Sequence, residues 1–246
     1  MARDESDGNS GFHAVDARGR TSLDSLLEDS RRDLTPSEAS QIVGGLSRTT
    51  KIPCHSWGIS AKDCRTGGLL ARIEGSTCHG CYALKGAYSW PKVSQAYERR
   101  LARADHPDWV DAMGNQVLWQ AQRNGEPYFR WFDSGDIQST DMLRQISDVA
   151  RRTSSVQHWL PTREYSTIHR YFRKERVPDN LTIRLSAPLV DGKPPKIRDL
   201  PTSTVHHRAE PRGFRCPAYD TRPATCGDLC RACWDPSVLS VSYPFH

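Results

Sequence analysis

The chain has 246 residues, enough for one α/β domain with a full hydrophobic core, or for such a domain plus a small appendage. Only 37% of its residues are hydrophobic and none of its apolar runs approaches the roughly 18 residues of a membrane span, which excludes a helical membrane protein. The formal charge of +5, with 27 arginines among 34 basic residues, permits a nucleic-acid partner without requiring one. The opening Met1-Ala2-Arg3-Asp4-Glu5 is charged and carries no apolar signal core, so the expected setting is a reducing cytoplasm with no membrane partner.

In chain order, residues 1–34 are rich in Asp, Glu, Ser, Gly and Arg and read as a disordered N-terminal tail, with a short helix around Leu23–Leu27 as its one candidate element. Residues 35–246 read as a single α/β domain. Thr35-Pro36-Ser37-Glu38 is a helix start, with a capping Thr, a first-turn Pro and Glu at the capping-box position; Gly44-Gly45 ends that helix. Residues 46–88 show little periodicity and predict an irregular metal-binding region. A helix follows Pro91, with Val93, Ala96, Tyr97 and Leu101 on one face. Another begins near Pro107, with Trp109, Val110, Met113 and Val117 on one face.

The centre of the chain alternates. Tyr128–Asp133, Val156–Leu160 and Leu181–Ser186 read as strands, separated by helical patterns at Thr140–Arg152 and Ser166–Arg173. This βαβαβ order predicts parallel strands with right-handed crossovers, in a partial (β/α) barrel or an open parallel sheet. A further strand is expected near Val205 and a last one at Val238–Tyr243.

The eight cysteines carry the strongest chemical signal. They fall in two segments, 54–81 with Cys54, Cys64, Cys78 and Cys81, and 216–233 with Cys216, Cys226, Cys230 and Cys233. In a reducing compartment such clusters point to metal ligands rather than disulfides. Four thiolates suit either a [4Fe–4S] cluster or tetrahedral zinc; a separate site for each segment is the preferred reading, the alternative being one zinc shared by the two CxxC pairs across the fold. His79, His206, His207 and His246 are weaker candidate ligands.

In a parallel α/β layout, ligands bind at the carboxyl ends of the strands. Those ends read Asp133-Ser134-Gly135-Asp136, Pro161-Thr162-Arg163-Glu164 and Arg184-Leu185-Ser186. Asp133, Asp136 and Arg163 are therefore candidate catalytic residues, and Thr162, Arg184 and Ser186 candidate substrate-binding residues. Gly135 would let backbone approach a ligand. The competing reading makes Asp136 a cap of the following helix and Arg163 a surface ion-pair partner.

Several motifs together resemble a phage and prophage family known as gene product 88. They are Cys78-His79-Gly80-Cys81-Tyr82, Trp131-Phe132-Asp133-Ser134-Gly135-Asp136, Trp159-Leu160-Pro161-Thr162-Arg163-Glu164-Tyr165, Leu181–Ser186, and Cys226-Gly227-Asp228-Leu229-Cys230-Arg231-Ala232-Cys233-Trp234. The resemblance spans about residues 45–246 and implies a phage accessory protein of the bacterial cytoplasm, without implying a reaction. A second resemblance is to radical S-adenosylmethionine barrels. Cys78/Cys81-Tyr82, Ser134-Gly135-Asp136, Thr162-Arg163 and Ser186 follow the order of that fold's cysteine loop and strand-end motifs, and Cys226, Cys230 and Cys233 have the spacing of its cysteine triplet. Ala232 replaces the usual aromatic residue before the last cysteine, and the Gly-Gly-Glu motif is absent.

Two functions are expected from these readings. One is a phage accessory protein that binds an iron–sulfur cluster or zinc, the cluster form being a radical S-adenosylmethionine-like enzyme acting on a nucleotide or nucleic-acid base. The other is a non-catalytic zinc or iron–sulfur module that binds nucleic acid or a host protein.

Overall fold

In a computed structural model, residues 34–227 and 230–245 are described. The readings for the tail and its short helix lie outside them, as does His246. The first helix, α1 (Pro36–Val43), starts as its sequence dictates. Thr35 Oγ1 accepts from the Glu38 N–H, the Glu38 carboxylate accepts from the Thr35 N–H at 2.8 Å, and Gly44 closes the helix in the left-handed region.

The remaining helices are α2 (Arg65–Leu70), α3 (Pro91–Arg103), α4 (Trp109–Asn124), α5 (Thr140–Arg152) and α6 (Tyr165–Tyr171). The strands are β1 (Ser47–Arg48), β2 (His55–Trp57), β3 (Tyr128–Trp131), β4 (Gln157–Thr162), β5 (Leu181–Val190), β6 (Thr202–His206), β7 (Phe214–Arg215) and β8 (Ser240–Pro244). They form one open eight-stranded sheet in the order β1-β2-β3-β4-β5-β6-β8-β7. Every neighbouring pair is parallel except β1 with β2.

The predicted parallel pairings of β3 with β4 and β4 with β5 are thus present. The elements differ from expectation at their edges. β4 starts at Gln157 and runs on to Thr162, and β5 continues to Val190, where it meets β6 past an irregularity between Ser186 and Val190. The segment read as irregular contributes β1 and β2, and β2 extends the parallel sheet beside β3. Two- and three-residue strands carry no periodicity that a sequence pattern could reveal.

Strand alternation separates two layers. Trp57, Phe129, Trp131, Leu160, Leu181, Ile183 and Leu185 face the helices. There they pack with Val43 of α1, Trp109, Met113 and Val117 of α4, Leu143, Ile146 and Val149 of α5, and Ile168 and Tyr171 of α6. The alternate positions face the other way. Trp159 and Val241 form a second core there with Cys54, Cys216, Ala218, Cys233 and Trp234. The C-terminal cysteine segment therefore covers the sheet face opposite the helices.

One buried side chain fastens that cover. Arg184 of β5 has no exposed surface, and all five of its N–H donors go to carbonyls, those of Thr202, Ala232, Cys233, Asp235 and Val238. The Thr182 hydroxyl donates to the Trp234 carbonyl at 2.7 Å, and the Trp234 indole N–H donates to the Phe129 carbonyl at 2.8 Å. Arg184, expected at a substrate-binding position, is instead a strut, because β5 runs six residues beyond it, to Val190, and leaves it in mid-strand.

Candidate functional site

The rim at the carboxyl ends of β3 and β4 is built by buried polar bonds. Phe132, directly after β3, sits at φ 53°, a conformation unusual for an aromatic residue, and its N–H donates to the Trp57 carbonyl at 2.6 Å. That turn brings Asp133 round, and its Oδ2 accepts from the Tyr97 hydroxyl of α3 at 2.6 Å. Asp133 Oδ1 and Ser134 Oγ are buried without a hydrogen-bond partner.

Asp136 ties two strand ends together. Its Oδ1 accepts from the Thr162 hydroxyl at 2.6 Å and the Ile137 N–H at 2.8 Å, and its Oδ2 accepts from the Arg163 N–H at 2.9 Å. Burial pushes its carboxyl up to about 6, against the pull of those three bonds. It does not cap α5; Ser139 does, accepting from the Met142 N–H at 3.0 Å. Gly135, at φ 81°, also has a different role from the expected one. A side chain there would run into Ile59, with a Cβ only 2.4 Å from Ile59 Cγ1, so the glycine admits the neighbouring loop.

Arg163 points to the first cysteine region. Its Nε and Nη2 donate to Thr77 Oγ1 at 3.1 and 2.8 Å, and Thr77 donates to the Ala187 carbonyl at 2.9 Å. Glu164, which the sequence reading passed over, accepts from the Thr66 N–H at 2.9 Å and the Thr66 hydroxyl at 3.0 Å, anchoring α2 directly after Cys64. Ser186 Oγ accepts from the Ser203 hydroxyl at 3.2 Å, while its carbonyl accepts from the Tyr165 hydroxyl. Thr162 and Arg163 thus bracket Asp136, and Ser186 belongs to the β5–β6 seam.

The cysteines form no disulfide among themselves and divide differently from their order in the chain. Cys64, Cys78 and Cys81 collect beside the rim. A methyl group placed on Gly67 would lie 3.6 Å from the sulfurs of both Cys64 and Cys78. Burial pushes the Cys64 thiol up to about 12, and the charges of Asp136, Cys78 and Cys81 add to that push. Cys54 leaves its sequence neighbours. It packs in the second core with Cys216, Cys233 and Cys226, and the Cys226 N–H donates to the Lys51 carbonyl at 2.8 Å. Burial raises Cys54 and Cys233 to about 12 and Cys226 to about 11. Cys230 acts electrostatically on Cys216 and Cys226, which places it in the same group.

The expected division into 54–81 and 216–233 is therefore three sulfurs against five. Cys54 lies two residues ahead of Ser56, on the sheet face that the C-terminal segment covers, whereas the other three follow β2 toward the strand ends. Among the described residues, no group of three or more His, Cys, Asp or Glu side chains stands ready to hold a metal ion. His206 is drawn into the β6–β8 seam, its Nδ1 2.8 Å from Ser242 Oγ, and His207 packs against the Phe245 ring. His79 lies in the turn between Cys78 and Cys81.

Two open grooves flank this machinery. One, of about 490 Å³, borders the C-terminal cysteine segment between Tyr128, Phe214, Arg231 and Trp234; the other, of about 570 Å³, lies between α1 and α4. No helix among the described residues is long and apolar enough to cross a membrane.

Sequence reasoning gave Tyr82 and Tyr97 no role at the rim and did not name Arg130 or Tyr88 at all. Tyr88 stacks on Tyr97 with ring centroids 6.1 Å apart, meets Tyr82 edge-on at 5.6 Å, and so joins Cys81's neighbour to the Tyr97–Asp133 bond. The available signal was Arg130 itself, a charged residue inside an aromatic strand of a sheet expected to be covered on both faces.

A family model described as gene product 88 matches residues 25–235, while no curated protein and no solved structure shows significant similarity. With that match spanning most of its length, the chain belongs to the gene product 88 family.

Proposed function

We propose that this phage-family protein is a thiolate metalloprotein of the host cytoplasm, with Cys64, Cys78 and Cys81 serving one centre and Cys54, Cys216, Cys226, Cys230 and Cys233 supplying the ligands of another. The supporting observation is the gathering of eight cysteines outside any disulfide, from segments far apart in the chain, into two groups, with Cys54, Cys78, Cys216 and Cys233 buried and the other four partly buried. Soft thiolate donors select iron–sulfur clusters or zinc, and buried thiols near 11 or 12 need a cation to displace their protons. A three-thiolate iron–sulfur cluster would supply one-electron chemistry with S-adenosylmethionine as co-substrate; zinc would act as a structural staple.

The chain's own residues suit a donor-bearing substrate at the rim. Asp133 Oδ1 and Ser134 Oγ are buried acceptors without donors, and the Tyr97 hydroxyl holds the other carboxylate oxygen in place. An exocyclic amine or hydroxyl of a nucleotide or nucleic-acid base would complete them. Asp136 and Arg163 keep the rim and the Thr77–Cys81 segment in register with each other.

The test is anaerobic purification with iron, sulfide and zinc analysis and a visible spectrum before and after dithionite. Bound metal lost separately in Cys78→Ser and Cys226→Ser variants is the expected result. Well-folded, metal-free protein with eight freely titrating thiols would refute the proposal.

A second reading, a metal-stapled module that binds nucleic acid or a host protein, draws support from the groove beside the sheet edge. There exposed Phe214 of β7 and the Arg231 guanidinium line one surface.

A further inference from the structure

Three neighbouring residues on the sheet face opposite the helices have side-chain donors that reach nothing. Parallel register sets Ser56 of β2 opposite Arg130 of β3, and Arg130 opposite Trp159 of β4. Alternation turns all three away from the helical layer, since Trp57, Phe129, Trp131 and Leu160 occupy the intervening positions. The Ser56 hydroxyl, the Arg130 Nε–H and the Trp159 indole N–H are each buried, and none has a hydrogen-bond partner.

Arg130 is the centre of this row. Its guanidinium lies 4.6 Å over the Trp159 ring, makes one long bond of 3.4 Å to the Phe132 carbonyl, and forms no ion pair with a described carboxylate. Lys51, partly buried and bonded to the Tyr219 hydroxyl at 2.9 Å, adds a second positive charge that repels Arg130. Asp133 acts on Arg130 through space, as Arg130 does on the Cys54 and Cys226 thiols, but none of these satisfies the Nε–H, and buried donors are almost always satisfied. Three adjacent exceptions, all offering hydrogens beside two cations, define the complement of a ligand that brings acceptor oxygens and negative charge. Arg130 keeps part of its surface in solvent, which leaves a way in.

We propose that the Ser56–Arg130–Trp159 row binds an oxyanion, the carboxylate or phosphate group of a small ligand. Arg130 supplies the charge, and the serine hydroxyl and indole N–H fix the orientation. The site adjoins the five-cysteine group, because Cys54 lies two residues before Ser56, but it uses no thiolate and stands whether or not metal is bound there.

The experiment uses the full chain, purified anaerobically with its metal content recorded. It is titrated with inorganic phosphate and, in a separate arm, with acetate, at constant ionic strength against chloride, by calorimetry and thermal shift. Saturable one-to-one binding is expected in one arm, which identifies the group. Ser56→Ala and Trp159→Phe, which remove a donor but keep the packing, should each weaken binding roughly tenfold, and Arg130→Gln should abolish it. Absence of saturable binding in both arms, as when water alone fills the row, overturns the proposal. So does undiminished binding by Arg130→Gln or, if that variant fails to fold, by both milder variants. Binding by protein that is metal-free with eight freely titrating thiols sustains this site while the metalloprotein reading fails, and metal-loaded protein that binds neither anion does the reverse, so the two fail separately.

Discussion

Replacing Arg184 with methionine should uncouple the C-terminal cysteine segment from the sheet. Methionine fills similar volume but leaves five carbonyls, those of residues 202, 232, 233, 235 and 238, without their donor in a fully buried place. Removing a buried guanidinium also removes its own desolvation cost, so the five bonds do not simply add. A buried carbonyl left unpaired typically costs about 1–3 kcal/mol, and with the guanidinium's relief offsetting part of the sum a net loss of about 3–5 kcal/mol is expected. For a domain of this size, with roughly 2–4 °C per kcal/mol, that corresponds to a fall of about 6–20 °C in Tm. Urea unfolding should show a lower midpoint at unchanged m. The damage should also be local. Arg184 binds the Cys233 carbonyl, and Cys233 Sγ lies 3.1 Å from the Tyr243 hydroxyl, so this buried thiol should react faster with a disulfide reagent in the variant. Arg184→Lys keeps the charge but only three donors, without the planar fork, and should not restore stability. A loss below about 1 kcal/mol with unchanged Cys233 reactivity would show that Arg184 is no strut.

Gly135→Ala should cost more than the roughly 1–2 kcal/mol of alanine at an ordinary left-handed position, because Ile59 blocks the new methyl; denaturant titration measures it, and a neutral variant would mean the β3 exit relaxes freely. Two buried groups should shape acid stability in opposite senses. His158, held neutral between Trp131 and Thr153 and lowered by burial to about 3, makes stability fall as pH drops below 6.5, while Asp136, raised to about 6, makes stability fall as pH rises from 3.8 through 6. His158→Gln should therefore flatten the acid loss and Asp136→Asn steepen it in urea titrations from pH 4 to 7; identical slopes in all three proteins would contradict both assignments. Cys54→Ser should lower metal content together with Cys216→Ser and leave the Cys64, Cys78 and Cys81 centre loaded; the opposite pattern would return Cys54 to its sequence neighbours.

The sequence by itself determined the parallel βαβαβ centre, the capped first helix and the concentration of chemistry in cysteines and strand ends. Each of these is set by local terms. Alternating apolar periods choose strand or helix, the Thr35–Glu38 box starts α1, and strand direction follows from connections of crossover length. Only the tertiary structure decided which cysteines meet. Nothing local distinguishes Cys54 from Cys64, yet β2, three residues long and invisible as a pattern, holds Cys54 on the face covered by the C-terminal segment and sends the others to the rim. The same holds for the polar residues. Arg184 and Arg130 are both arginines in strands, one with every donor used by carbonyls and the other beside two partnerless neighbours. That difference depends on which distant backbone lies over each strand, because a buried donor takes its meaning from the acceptor that long-range packing brings to it, and no residue type or spacing encodes that partner.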